Sequence, residues 1–202
     1  MATTAVTLND RKLIRSLQLA YSAERAAAFA YIGHANALSD PDEVAMTRQI
    51  ERDEWEHRDH VRNIMDRYEI PVSRWYEIKY WWIGKFIALS CYLIGWFMPH
   101  YFAGRLESGN VCEYFVMIHR FRVLGITEHD PILYEMGVKE KEHEDFFAKV
   151  IEKSWLMPIF EFVFRWGPRK SYNDLPSNLP PPEVDEAGKY CTLYPGAPDQ
   201  SS

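Results

Sequence analysis

Along most of the chain, apolar side chains recur in steps of three and four, the spacing of one face of an α-helix. Over about 8–38 the face reads Ile14, Leu17, Tyr21, Glu24, Ala28 and Tyr31, with no Gly or Pro before Gly33. Asp40, Pro41 and Glu43 then form a helix start: a side-chain cap, a proline where no backbone N–H is needed, and the acid of a capping box. The second helix carries Met46, Ile50, Glu54, His57, Val61, Ile64 and Tyr68 on one face and stops before Pro71. A long aromatic helix is predicted over 75–122, kinked at Pro99 and weakened at Gly104 and Gly109. Its core face is read as Leu89, Leu93, Trp96, His100, Ala103, Glu107, Val111, Tyr114 and Ile118. Asp130 and Pro131 repeat the start signal, with Asp130 as cap, for a fourth helix to about Ser154. That face is Leu133, Met136, Glu140, His143, Phe147 and Val150, and a short aromatic helix is expected at 155–166. No segment alternates with period two, so the predicted class is all-α.

Beyond residue 171 the pattern ends. Pro176, Pro180, Pro181, Pro182, Pro195 and Pro198 are half of the chain's twelve prolines, and no helix continues through them. Two readings stay open for this stretch: an extended arm lying on the domain or on a neighbouring subunit, and plain disorder. The expected organisation is a helical bundle over 8–168 followed by a proline-rich arm over 169–202.

Each predicted helix has a charge where an apolar residue belongs. Glu24, Glu54, Glu107 and Glu140 interrupt the four core faces, and His57 and His143 follow two of them at the Glu-x-x-His spacing that puts both groups on one helix face. Burying four unpaired carboxylates is heavily unfavourable. Four carboxylates and two neutral imidazoles match two divalent cations in charge. One Glu from each of two helices and Glu-x-x-His from the other two is the ligand set of the di-iron or di-manganese carboxylate site in ferritin-like bundles, and mixed oxygen and imidazole donors suit Fe or Mn. The opposing reading puts these charges on rotated, solvated faces. Glu113 is the second choice to Glu107, from which it lies about 120° around the helix. His34, His60, His119 and His129 are expected at the surface or beside the ligands, and His100 in the core.

Composition narrows the function further. The chain has 202 residues, with 23 Lys+Arg against 29 Asp+Glu and a formal net charge of −6. No basic stripe is available to collect phosphates, so nucleic acid is not expected as a partner. Cys91, Cys112 and Cys191 form no CxxC pair and leave one odd, which argues for free thiols in a reducing compartment. The first residues carry no apolar leader, and a cytoplasmic location is expected. Phe86–Met98 is uncharged over thirteen residues, too short to span a bilayer. Tyr80, Trp81, Trp82, Tyr92 and Trp96 suit a membrane interface, or else fill the core or a dimer interface.

Glu24, Ala27, Tyr31 and Gly33 in the first helix, Glu54 and His57, Gly84 and Gly95 leading to Glu107, and Glu140 with His143 together resemble the demethoxyubiquinone hydroxylase family. These are di-iron monooxygenases of ubiquinone biosynthesis within the ferritin-like superfamily. The resemblance covers roughly 15–150. It implies a ferritin-like four-helix bundle in which Glu24, Glu54, His57, Glu107, Glu140 and His143 hold two Fe ions, with Mn as the alternative. O2 and an apolar, quinone-like substrate would react there, with Tyr31 and Tyr114, and Glu113 beside them, as candidates for proton or electron delivery. It also implies a peripheral membrane contact, on the inner face, and a homodimer is expected besides. The chain has no G-x-G-x-x-G fingerprint, so electrons are expected from an external partner or from the substrate. Competing functions are a ferritin- or rubrerythrin-like ferroxidase or peroxidase, a manganese catalase, and a non-catalytic helical module.

Overall fold

The structure is a computed structural model that describes residues 8–168, 170–175 and 178–192. Among these residues there are six α-helices, two short 3-10 turns and no strand. The helices are α1 (Arg11–Ala37), α2 (Pro41–Arg67), α3 (Arg74–Ser90), α4 (Phe97–Val123), α5 (Asp130–Ile151) and α6 (Met157–Phe164). The turns are Tyr172–Asp174 and Gly188–Thr192. The chain divides into two compact units, Met1–Pro99 and His100–Ser202.

In the first unit α1 packs against both α2 and α3. Asp10 caps α1 by accepting from the N–H groups of Lys12 and Leu13, and Asp40 caps α2 by accepting from those of Asp42 and Glu43. Leu13, Leu17, Ala28, Ile50, Val61 and Met65 are fully buried. The contact of α1 with α3 is made at backbone distance. A Cβ on Gly33 would lie 2.4 Å from the Ala88 Cα, and one on Gly84 would lie 2.7 Å from the Ala26 carbonyl oxygen. Glycine is required at both positions because nothing larger leaves room for the facing helix.

The predicted helix over 75–122 is two helices. The chain leaves α3 at Ser90 and enters α4 at Phe97, turning at Gly95, whose φ of +77° belongs to the left-handed region. Pro99 does not kink anything: it sits in the first turn of α4, where its missing N–H has no intrahelical partner to lose. The two halves of the expected face differ in burial. His100, Glu107, Val111, Tyr114 and Ile118 are buried, whereas Leu89 and Leu93 are exposed, Leu93 at 78%. Gly84 is the one residue of α3 that is fully packed away, and Trp75, Ile78, Trp82, Phe86 and Leu89 stand in solvent at helical spacing. No helix among the described residues is long and apolar enough to cross a membrane.

In the second unit the buried face of α5 is Leu133, Met136, Glu140, His143, Phe147 and Ile151. Asp130 is not its cap. The helix begins at Asp130 with His129 in the cap position and no side-chain cap bond, and the Asp130 carboxylate accepts instead from Arg122 Nε at 2.8 Å. The aromatic helix α6 lies on α4 through Tyr101 and Phe102, whose rings meet Phe160 edge-on at 5.1 and 6.1 Å. Its other side is open, with Phe162 87% exposed. The cysteine reading is corrected as well: Cys112 of α4 and Cys191 of the arm form a disulfide, with their Cα atoms 5.4 Å apart, and Cys91 alone is free. A pair 79 residues apart becomes visible only when the arm folds back onto α4. Part of the proline-rich segment thus packs on its own unit, while Pro176, Pro195 and Pro198 lie outside the described residues.

Candidate metal centre

The first unit brings Glu24 of α1 together with Glu54 and His57 of α2. One ligand atom from each lies within 4.8 Å of the others, and all three residues are buried. Glu54 and His57 meet because three residues advance a helix by nearly one turn. Glu24 joins them because the capped start at Asp40 sends α2 back along α1. The second unit repeats the arrangement with Glu107 of α4 and Glu140 and His143 of α5, again within 4.8 Å of one another and again buried. Each trio of buried Glu and His could hold a metal ion.

Neighbouring groups fix both trios. In the second unit the Asn110 amide donates to Glu107 Oε2 at 3.1 Å and reaches Glu140 Oε2 at 3.5 Å, so one side chain ties the carboxylates of α4 and α5 together. In the first unit the residues following Glu24 and His57 are Arg25 and Arg58, and both pair with Glu77 of α3, at 2.9 and 3.0 Å. Ser22 donates to the same carboxylate at 2.8 Å, and the Arg58 guanidinium lies 3.6 Å over the Tyr21 ring. Burial opposes ionisation of Glu77. The hydrogen bonds from Arg58 and Ser22, with the charges of Arg58 and Arg25, outweigh it and hold the carboxyl below its ordinary value. No protein-family model, curated protein or solved structure matches the chain.

Like charges at this separation call for a compensating cation or proton. Two carboxylates 4.8 Å apart repel by about 3.5 kcal/mol at an effective dielectric constant of 20, before any desolvation is counted. A divalent cation reverses the sign of that interaction. Each trio supplies two carboxylates and one imidazole, a donor set that fits Fe or Mn.

The remaining candidates fall into place around this. Glu113 is not with the ligands; it forms an ion pair with Lys170 at the start of the arm. Tyr31 and Tyr114 are buried and lie two turns beyond Glu24 and Glu107 on the same helix faces, about 10 Å along the axis. His34, His119 and His129 are buried rather than superficial, while His60 is half-exposed, and His100 is in the core as expected, edge-on to Phe147. Sequence reasoning missed Asn110 and Glu77. Asn110 was legible as the residue one turn after Glu107, whereas Glu77 pairs across elements and left no periodic signal.

Proposed function

We propose that the two trios hold a pair of divalent cations, in a ferritin-like four-helix bundle that oxidises an apolar, quinone-like substrate with O2. One cation would be held by Glu24, Glu54 and His57, and the other by Glu107, Glu140 and His143. The observation that carries this reading is the repetition, in each unit, of a buried Glu beside a buried Glu-x-x-His pair. When bound, a di-iron pair supplies the electron exchange with O2 that hydroxylation of an unactivated substrate requires. The protein's part is to hold the carboxylates dry and mutually close, and to keep each ligating imidazole nitrogen unprotonated. Asn110 and the Glu77–Arg25–Arg58 cluster hold the ligands' helices in register, and Tyr31 and Tyr114 are assigned to proton or electron delivery.

The outward-facing aromatic residues of α3 support a substrate taken from a lipid surface, with the chain lying against the membrane as a peripheral protein. Without a nicotinamide or flavin fingerprint in the sequence, the electrons are assigned to a separate donor.

The test is the metal content of protein purified anaerobically, followed by its absorption spectrum on exposure to O2. About two iron atoms per chain and oxo-bridged ferric bands are expected. His57→Ala and His143→Ala should each abolish the full complement. Absence of any transition metal, or uptake unchanged in both variants, defeats the reading. Manganese with peroxide-disproportionating activity would reassign the centre to a catalase.

A further inference from the structure

The proline-rich arm returns to the second unit and is covalently fastened there. Cys191, in the turn Gly188–Thr192, is joined to Cys112 of α4, and both are fully buried. The neighbouring Tyr190 reaches a residue of each of the two ligand-bearing helices of this unit. Its hydroxyl donates to Glu144 Oε1 at 3.0 Å, and the Ser108 hydroxyl lies within hydrogen-bonding reach of it. Ser108 directly follows Glu107 on α4, and Glu144 directly follows His143 on α5. Glu144 is held on further sides by the Trp166 indole N–H at 2.6 Å and by Lys141 at 3.1 Å, and the Lys141 ammonium lies 4.9 Å over the Tyr190 ring. Other anchors of the arm are the Lys170–Glu113 pair and a long contact of Arg122 with exposed Glu183 at 3.7 Å.

We infer that the arm is a redox-controlled strap: the Cys112–Cys191 disulfide seats Tyr190 against the residues next to Glu107 and His143, and its reduction releases the arm and loosens this half of the metal centre. The chemistry balances with a dithiol as co-reactant. The dithiol gives two electrons and two protons, the S–S bond breaks, two S–H bonds form, and the reagent leaves as its own disulfide. Tyr190 is a positioning residue in this scheme, acting through Ser108 and Glu144. The metal-retention part rests on the proposed centre, whereas release of the arm does not.

The full-length chain, purified without reductant, is compared with the same protein treated with dithiothreitol and with a Cys112→Ser/Cys191→Ser variant. Thiol titration in denaturant should find one thiol before reduction and three after. Tryptic cleavage after Lys189, read on reducing gels, should be at least tenfold faster in the reduced protein and the variant, because a locked turn must open locally before it is cut. Cobalt(II), used as the probe metal, should pass to a chelator about tenfold faster from the reduced protein. Tyr190→Phe, with the disulfide intact, should speed cobalt loss without speeding cleavage. Three thiols in the unreduced protein, or equal cleavage rates in both redox states, overturn the strap. Equal cobalt release with faster cleavage overturns the link to the ligands and leaves the metal centre standing. No cobalt uptake in either state defeats the metal centre, and the strap is then decided by cleavage alone. If the double variant does not fold, the reduced natural chain gives the same comparison.

Discussion

Glu77 shows how much a single side chain does outside the ligand set. It receives Ser22, Arg25 and Arg58, and so connects α3 to the helices that carry Glu24 and His57. Its carboxyl is held below the ordinary value, so the stability it contributes is present above the unfolded-state value near 4.5 and is lost as the pH falls through the lower folded-state value. Replacing Glu77 by Ala should destabilise the protein by about 2–3 kcal/mol at neutral pH. In urea unfolding, the gap between the two proteins should narrow on acidification; a constant gap down to the acid-unfolding limit would refute the assignment. The six ligand candidates were legible in the sequence because each breaks an apolar series at a fixed phase. Asn110 and Glu77 break no series, since one lies at the edge of its helix face and the other makes its partners only after α3 has docked.

At the scale of elements, periodicity located α1, α2 and α5 to within a few residues, because each has caps or prolines at an end and one apolar face. It failed at α3 and α4. Apolar residues run without interruption from Trp81 to Met98 apart from Lys85 and small or polar positions, so the phase change at Gly95 leaves no mark in the pattern. Gly33 and Gly84, which the sequence shows only as glycines inside predicted helices, are contact points between α1 and α3. Gly84→Ala puts a methyl group against the Ala26 backbone and should cost about 1–3 kcal/mol despite the gain in helix propensity. A thermal melt of the variant decides it: a midpoint equal to or above the parent's would show that the helices separate freely.

For the molecule as a whole, the exposed aromatic residues are the feature that composition foretold and periodicity misplaced. Trp75, Trp82, Phe86 and Leu93 are all more than 60% exposed, far more apolar surface than scattered single residues account for. Vesicles of neutral and anionic lipid should retain the chain on flotation, and Trp82→Ser/Phe86→Ser should reduce the bound fraction several-fold while leaving metal content unchanged. Equal flotation of parent and variant would remove α3 from the membrane contact. The arm shows the limit of reading a sequence: its prolines exclude a helix, but only the folded chain reveals that Cys191 meets Cys112.

That cross-link has a topological result. It closes a ring running from α4 through all of α5 and α6, with Glu140 and His143 inside the ring and Glu24, Glu54, His57 and Glu107 outside it. By loop-closure entropy a ring of this size is worth about 4.5 kcal/mol against the unfolded chain. A nick at any peptide bond between Cys112 and Cys191 therefore yields two polypeptides that still travel as one particle, with every proposed ligand retained until a thiol cuts the last tether.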